Sequence, residues 1–218
     1  MTEHSLRAKL ITEFIGTFFL TLTVCLAVVF ETSTPELAPF AIASTLMVMI
    51  YAGGHVSGAH YNPAVTISVY LRGACERSEV APFIASQLAA AAMAAIISSN
   101  VIMSGDLGGE ELSMEAVPAL AAELMFTFAL AYVILNVATS DSTEGNGYYG
   151  AAIAFVVLAG ALTVGSISGA SFNPAVSVSL VLTGSLGVVD SWLHFVPQLT
   201  GGVLAAYVFK AQQNSSFR

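Results

Sequence analysis

The sequence predicts an all-α membrane protein with six transmembrane helices and two re-entrant half-helices in an inverted repeat. Three observations predict this fold: an apolar composition, six long apolar segments, and a motif that occurs twice. Of the 218 residues, 56% are hydrophobic and 9% are charged, whereas about a quarter of the residues in a soluble domain are charged. A surface with so few charges cannot face water on all sides, so we expect residues 1–218 to form one domain in contact with membrane lipid.

Six apolar segments have lengths suited to a bilayer. A helix needs about 20 residues to cross the hydrocarbon core, which is about 30 Å thick. The second and fifth segments are the shortest, and we expect their helices to extend into the flanking residues. The six segments are Lys9–Phe30, Leu37–Ala52, Val80–Met103, Val117–Ala138, Tyr148–Val164 and Val188–Phe209.

The basic residues predict the orientation. Cytoplasmic segments of membrane proteins carry an excess of Lys and Arg. Six spans put both termini on one side, and if that side is the cytoplasm, every basic residue is cytoplasmic, while Glu31, Glu36 and the acidic loop 104–116 lie outside. We therefore expect a multi-pass protein of the cell's inner membrane with both termini in the cytoplasm. The basic residues are Arg7, Lys9, Arg72, Arg77, Lys210 and Arg218.

A twelve-residue segment occurs twice. Residues 54–65 are GHVSGAHYNPAV, and 111 positions later residues 165–176 are GSISGASFNPAV, with eight of the twelve identical. Gln87 and Gln198 each follow the repeated Asn by 25 residues, and Glu13 and Glu123 precede it by 49 and 50. The spacing predicts two repeats, about 9–103 and 117–211, with three spans each. Because three is odd, the second repeat is inverted, and a permeation site is expected at the interface between the repeats.

Each repeated Asn-Pro pair predicts the start of a half-helix. The apolar stretches Ala64–Leu71 and Ala175–Thr183 follow the pairs. About ten helical residues rise ~15 Å, half the thickness of the hydrocarbon core. Asn suits the N-cap and Pro the first helical position, so we predict half-helices whose N-termini meet near the centre of the membrane. The predicted pore centre consists of Asn62, Pro63, Ala64, Asn173, Pro174 and Ala175.

Glycine-rich lead-ins, Gly53–Tyr61 and Gly165–Phe172, precede the two half-helices and are predicted to be non-helical. Such backbone is tolerated at membrane depth only where it is buried in protein or lines water. We expect its carbonyls to form a ladder of acceptors along a pore, while the two Asn amides and the positive helix ends at the centre disfavour cations. The predicted ladder consists of Gly58, Ala59, His60, Tyr61, Gly169, Ala170 and Ser171.

The doubled Asn-Pro-Ala, the HVSGAH lead-in and the paired Glu and Gln contexts resemble the aquaporin and aquaglyceroporin family over nearly the whole chain. The resemblance implies a passive channel for small uncharged solutes, with one pore in every subunit of a homotetramer. It also implies that Asn62 and Asn173 are the central asparagines, and that Glu13 and Glu123 brace the re-entrant loops through hydrogen bonds. Acids inside the membrane are costly and therefore functional candidates, and proton relay is the alternative role for these two.

One residue departs from the family pattern. The family usually has Arg after the second Asn-Pro-Ala, where this chain has Val176. The resemblance places the outer filter at that position and at three others, and water-selective members tend to have an aromatic residue and a histidine at two of them. In this chain all four are aliphatic: Ile42, Ala161, Ala170 and Val176.

The aliphatic filter predicts the solutes. Two Ala and a Val leave a wider opening whose side chains offer no hydrogen-bond donor. Glycerol-selective members commonly have Asp where this chain has Ser177, so it is no ordinary glycerol facilitator. The chain looks most like a bacterial branch that has Val in this position and is associated with arsenic resistance. The expected solutes are water, glycerol-like polyols, urea and neutral arsenic acids such as arsenous acid.

Several functions are disfavoured by the sequence. The net charge of −8 argues against a nucleic-acid partner. No paired metal-ligand spacing, Walker-type loop or nucleophile elbow occurs, so we expect no enzyme, cofactor or metal site. Cys25 and Cys75 are expected to be free thiols, and His194 an ordinary structural histidine. A strict water channel, an ion-coupled transporter and a closed structural membrane protein remain as alternatives.

Overall fold

The structure, a computed structural model, describes residues 4–105 and 111–214. These residues form eight α-helices and no strand, as the predicted fold class requires. Six helices are long and two have half that length. The long ones are α1 (Leu6–Val24), α2 (Ala38–Ser57), α4 (Arg77–Ile97), α5 (Ala116–Ala138), α6 (Tyr149–Ser168) and α8 (Trp192–Asn214), and the half-length ones are α3 (Pro63–Arg72) and α7 (Pro174–Leu182).

Two of the long helices change their winding near the end. After α1, residues Cys25–Val29 continue as a π-helical turn, and after α4, residues Ser98–Ile102 do the same. Each π turn is continuous with its helix, so the first and third predicted spans are lengthened rather than broken. A short 3₁₀ turn, Asp141–Thr143, connects α5 to α6.

Five of the long segments are apolar and long enough to cross a membrane by length and composition. α8 is also long, with 23 residues, but His194, Pro197 and Gln198 interrupt its apolar run. His194 and Gln198 are buried, so these two polar side chains face the protein interior. The five segments are Leu6–Val29, Ala38–Ser57, Arg77–Ile102, Ala116–Ala138 and Tyr149–Ser168.

The outer faces of the helices are apolar. Ile11 and Phe19 on α1, Val48 on α2 and Phe155 on α6 are exposed. A soluble protein rarely leaves so many large apolar side chains in water, whereas hydrocarbon solvates them well. The membrane location that the composition predicts is therefore consistent with the surface of the fold.

The two halves of the chain interlock. In the first half α1 packs against α2 and α4, and in the second half α5 packs against α6 and α8. Each half-helix, however, packs closely against the last long helix of the opposite half: α3 against α8, and α7 against α4. The half-helices thereby tie the two repeats together across the centre of the molecule.

Glycines allow α8 to approach its neighbours closely. A Cβ on Gly201 would lie 2.6 Å from the carbonyl oxygen of Leu124 in α5, and one on Gly202 would lie 2.7 Å from the carbonyl oxygen of Ala64 in α3. Small residues at helix contacts are the usual means by which membrane helices reach such separations.

One sequence expectation about the lead-ins is wrong. Gly53–Tyr61 and Gly165–Phe172 were expected to be non-helical throughout, but α2 continues to Ser57 and α6 to Ser168. Both helices end at a glycine in the left-handed conformation, and Gly58 has φ of 87°. The ring and hydroxyl of Tyr61 pack onto the bare Cα of Gly53 within α2, where a larger residue would not fit.

The Gly201 contact yields a prediction. Gly201→Val places a side chain against backbone atoms that cannot move aside, so we expect the protein to lose about 3 kcal/mol of stability or to fail to assemble. The measurement is the fraction of purified protein that stays monodisperse in detergent after heating. Gly147→Ala is the control, because no atom lies within 4 Å of its added Cβ. Equal heat resistance of both variants would contradict the packing of α8 described above.

Candidate functional site

The two half-helices begin at asparagine caps. Asn62 precedes α3, and its Oδ1 accepts hydrogen bonds from the backbone N of Ala64 at 2.9 Å and of Val65 at 3.4 Å. Asn173 precedes α7 and its Oδ1 accepts from the backbone N of Ala175 at 2.9 Å. Each cap fixes the side-chain amide at the positive end of a helix.

The amide nitrogens of the two asparagines cross between the repeats. Asn62 Nδ2 donates to the carbonyl oxygen of Phe172 at 2.9 Å, and Asn173 Nδ2 donates to the carbonyl oxygen of Tyr61 at 2.9 Å. An amide has two N–H donors, so these bonds leave one hydrogen on each asparagine. Because both asparagines line the same cavity, the remaining donors are available to a molecule inside it.

Alternate residues of each loop have a left-handed backbone. In the first loop Ala59 and Tyr61 have φ of 52° and 49°, and in the second loop Ala170 and Phe172 have φ of 48° and 50°. Residues with a side chain rarely adopt this conformation, and each instance costs about 1–3 kcal/mol. The loops therefore need strong interactions with their surroundings to keep this shape.

A buried carboxylate on α1 holds the first loop. Glu13 Oε1 accepts hydrogen bonds from Ser57 Oγ at 2.7 Å and from the backbone N of His60 at 2.9 Å. Its Oε2 accepts from the backbone N of Tyr61 at 2.7 Å and from Gln87 Nε2 at 2.8 Å. Four donors converge on one side chain that is shielded from solvent.

The second loop is held in the same way by a carboxylate on α5. Glu123 Oε1 accepts from Ser168 Oγ at 2.7 Å and from the backbone N of Ser171 at 3.0 Å. Its Oε2 accepts from the backbone N of Phe172 at 2.8 Å and from Gln198 Nε2 at 2.7 Å. Hydrogen bonds to a charged group contribute about 1.5–3 kcal/mol each, enough to offset the unfavourable backbone.

Two hydroxyls on the half-helices complete these networks, a role that the sequence indicated for neither residue. Gln87 Nε2 also donates to Thr66 Oγ1 at 3.0 Å, and Gln198 Nε2 donates to Ser177 Oγ at 3.0 Å. Thr66 and Ser177 are themselves 111 positions apart. The repeat spacing that relates the other site residues could therefore have revealed them.

A cavity of about 660 Å³ leads from the segment near Glu31 and Glu36 to the two asparagines. Among the described residues, Gly58 and the Pro-Ala pairs of both motifs are not part of its wall, and the two pairs are buried beside it. The site residues predicted from the sequence that do line it are Ile42, Ala59, His60, Tyr61, Asn62, Ala161, Gly169, Ala170, Ser171, Asn173 and Val176.

The cavity wall also includes side chains that the sequence did not indicate as site residues. Leu112 lines the cavity, and its Cδ1 lies 2.8 Å from where a Cβ of Gly169 would be. Its backbone N donates to the carbonyl oxygen of Ser185 at 2.9 Å, which ties the segment before α5 to the connection between α7 and α8. No local motif marks Leu112, because its position depends on contacts between distant segments.

The two cysteines are free, as the sequence predicted. Cys75 lies in the connection between α3 and α4, where burial and, to a smaller extent, the nearby Glu79 carboxylate raise the pKa of its thiol to about 11. A thiol with so high a pKa stays protonated at neutral pH and is a weak nucleophile and metal ligand.

Six long helices around two half-helices, with a lined cavity at the point where the half-helices meet, define a membrane channel. The chain belongs to the major intrinsic protein family, whose sequence profile matches residues 1–209. Members of this family are passive channels for small solutes, so this chain is a channel and not an enzyme.

Individual relatives agree with the family assignment. The chain is 34% identical to aquaporin NIP1-3 of Oryza sativa subsp. japonica over 92% of this chain and 72% of the relative. It is 30% identical to aquaporin Z of Photorhabdus laumondii over 93% of this chain and 96% of the relative. The solved structure of the aquaglyceroporin from Plasmodium falciparum matches with a TM-score of 0.72 at 19% identity, covering 94% of this chain and 96% of that one, which shows the shared fold.

The carboxylate networks yield a prediction. Glu123→Gln keeps the shape of the side chain but replaces one acceptor oxygen with an NH₂ group, which faces donors of the second loop. We expect a loss of about 2–4 kcal/mol in stability, measured as a lower midpoint of thermal unfolding in detergent. Glu115→Gln is the control, because Glu115 precedes the same helix but is exposed. A proton-relay role predicts the opposite pattern, with unchanged stability and altered proton movement.

Proposed function

We propose that this chain conducts water, glycerol-like polyols, urea and neutral arsenic acids such as arsenous acid through a pore in each subunit of a homotetramer. The observation that carries the proposal is the chemistry of the cavity wall at the four proposed filter positions. Its four filter positions are all aliphatic: Ile42, Ala161, Ala170 and Val176.

Size favours solutes larger than water. Ala161 and Ala170 project only a methyl group, and Val176 is far shorter than an arginine would be. An arginine at residue 176 would also place a fixed positive charge and five N–H donors in the opening. Without it, the width of the filter is set by apolar groups that do not select for a chain of single water molecules.

Polar contacts for a solute come from the loop backbone and the asparagines. Each asparagine has one N–H donor that is not used between the loops, and the neighbouring backbone supplies carbonyl acceptors. A neutral molecule with several hydroxyls, such as glycerol or arsenous acid, can exchange its hydrogen bonds with water for these groups. An ion cannot do so, since the N-termini of α3 and α7 oppose a cation and the aliphatic filter solvates no charge.

An ion-coupled transporter is less compatible with the site. Such a protein needs groups that bind the coupling ion and face the solute, and the acidic candidates within the membrane are Glu13 and Glu123. Both carboxylates are occupied by four donors and neither lines the cavity. Swelling of vesicles in the absence of any ion gradient separates the two mechanisms.

We also propose that both termini face the cytoplasm in the inner membrane. In support, basic residues from several helices lie at one end of the bundle. Lys9 at the start of α1 pairs with Glu79 at the start of α4 at 2.6 Å. Arg72 at the end of α3 donates to the carbonyl oxygen of Thr139 after α5 at 2.7 Å.

The orientation yields a prediction. A cysteine introduced by Glu111→Cys, in a protein whose Cys25 and Cys75 are changed to Ser, should react with a membrane-impermeant maleimide applied to intact cells. Ser78→Cys, at the opposite end of the bundle, is the matched control and should react only after the cells are made permeable. The reverse pattern would mean that the protein is inserted the other way round.

The filter yields the sharpest functional prediction. Val176→Arg should lower the flux of glycerol, urea and arsenous acid by about tenfold or more while lowering water flux much less. The long side chain fills the opening, and its guanidinium supplies donors that a single file of water can use. Stopped-flow light scattering on vesicles measures water and glycerol flux on one sample.

Control variants separate the size of the side chain from its charge. Val176→Leu adds bulk without donors, so it should reduce both fluxes less selectively than Val176→Arg. Equal loss of water and glycerol flux in Val176→Arg would indicate a general block. If wild-type vesicles pass water but none of the larger solutes, the chain is a strict water channel and the proposal is wrong.

A further inference from the structure

The hydroxyls of Thr66 and Ser177 have matching surroundings in the two halves. Each receives a hydrogen bond from its glutamine at 3.0 Å, and each lies close to the carbonyl oxygen of its asparagine, at 3.1 Å for Thr66 and 3.3 Å for Ser177. A third partner is an imidazole nitrogen. His60 Nδ1 lies 3.2 Å from Thr66 Oγ1, and His194 Nδ1 lies 3.1 Å from Ser177 Oγ.

The two imidazoles come from different parts of the repeat. His60 belongs to the first pore loop, and the residue 111 positions later, in the second loop, is Ser171. His194 belongs to α8, and the residue 111 positions earlier, in α4, is Phe83. Each half therefore contains one imidazole next to the half-helix hydroxyl. This imidazole belongs to the pore loop in the first half and to the last long helix in the second half.

In each half, the residue at the position equivalent to the other half's histidine packs against the local histidine or hydroxyl. In the first half the Phe83 ring packs edge-on against the His60 ring, with 5.3 Å between their centroids. In the second half Ser171 Oγ lies 2.8 Å from Ser177 Oγ, so the small loop residue fills the remaining space with a hydrogen bond. The pair His60 and Phe83 in the first half and the pair Ser171 and His194 in the second half therefore fill equivalent space beside the half-helix hydroxyl in two different ways.

The two halves therefore differ in the loop side chain that lies at the cavity wall. His60 lines the cavity and keeps 8% of its surface exposed, whereas His194 is fully buried and does not line it. In the second half the loop residue at the cavity wall is Ser171, 7% exposed, next to the filter residue Ala170. A serine occupies much less space there than a histidine would.

We propose that each repeat needs one imidazole to hold its half-helix in position. In the second repeat this imidazole belongs to α8 rather than to the second loop, and we propose that this placement keeps the outer half of the pore wide. Ser171 and His194 are then a specificity-determining pair. This second part rests on the proposed function as a solute channel, while the positioning role does not.

The test transfers the pair of residues found in one half to the equivalent positions of the other half. Ser171→His with His194→Phe gives the second half the arrangement of the first, and His60→Ser with Phe83→His gives the first half that of the second. Single variants His194→Phe and His60→Ser remove the imidazole without replacing it. Each single variant should lower the midpoint of thermal unfolding by about 5 °C, and each paired variant should recover most of that loss. The paired variants keep the composition of the chain close to wild type, so they also serve as matched controls for each other.

Solute flux tests the specificity role. Ser171→His with His194→Phe should lower glycerol flux at least about fivefold more than water flux, because the imidazole then stands at the pore wall beside the filter. The reciprocal pair, which acts on the other loop, should leave the ratio of glycerol to water flux at the wild-type value or above it.

The outcomes separate the claims. Paired variants no more heat-resistant than the single ones would show that the imidazoles are not equivalent and overturn the positioning role. Recovered stability with an unchanged ratio of glycerol to water flux would overturn the specificity role. If wild-type vesicles pass no solute at all, the proposed channel function is wrong, yet the stability comparison still decides the positioning role.

Discussion

Each pore loop depends on the four hydrogen bonds that one buried carboxylate accepts. Non-helical backbone has no internal partners, and in a membrane no solvent replaces them. Glu13 and Glu123 supply the missing acceptors for two consecutive backbone N–H groups, a serine and a glutamine in each half. The left-handed residues of the loops, and with them the direction of the loop backbone along the cavity, persist because these bonds outweigh the strain.

The inverted repeat then brings the two loops together. Each half-helix packs against the last long helix of the other half, and each asparagine donates to a carbonyl of the other loop. The centre is therefore close to symmetric, while the departures from symmetry lie outside it. Val176 at a proposed filter position and the different origins of the two imidazoles are two such departures, and the cavity wall beside Val176 includes Ala161, Ala170 and Ser171.

Much of this architecture could be predicted from the sequence. The apolar segments, the Asn-Pro pairs and the 111-residue spacing are local signals, and they placed the helices and the two N-caps correctly. The helical ends of the lead-ins were missed, because glycine has a low helix propensity and no local signal shows that α2 and α6 continue through Gly53 and Gly165. Leu112 and the partner of His194 could not be predicted, since both depend on segments that meet only in the folded chain.

Cation exclusion at the asparagines tests the account of the pore centre most directly. Asn62→Asp or Asn173→Asp replaces the inward amide donor with a carboxylate opposite a helix end, while Asn100→Asp, on an exposed side chain, is the control. We expect proton and sodium leak in proteoliposomes to rise about tenfold in the first two variants, while the protein still assembles. This rise corresponds to a free-energy barrier to cation passage that is lower by about 1.4 kcal/mol. Leak equal to that of wild type in both variants would contradict the claim that the crossed amides and helix ends exclude cations.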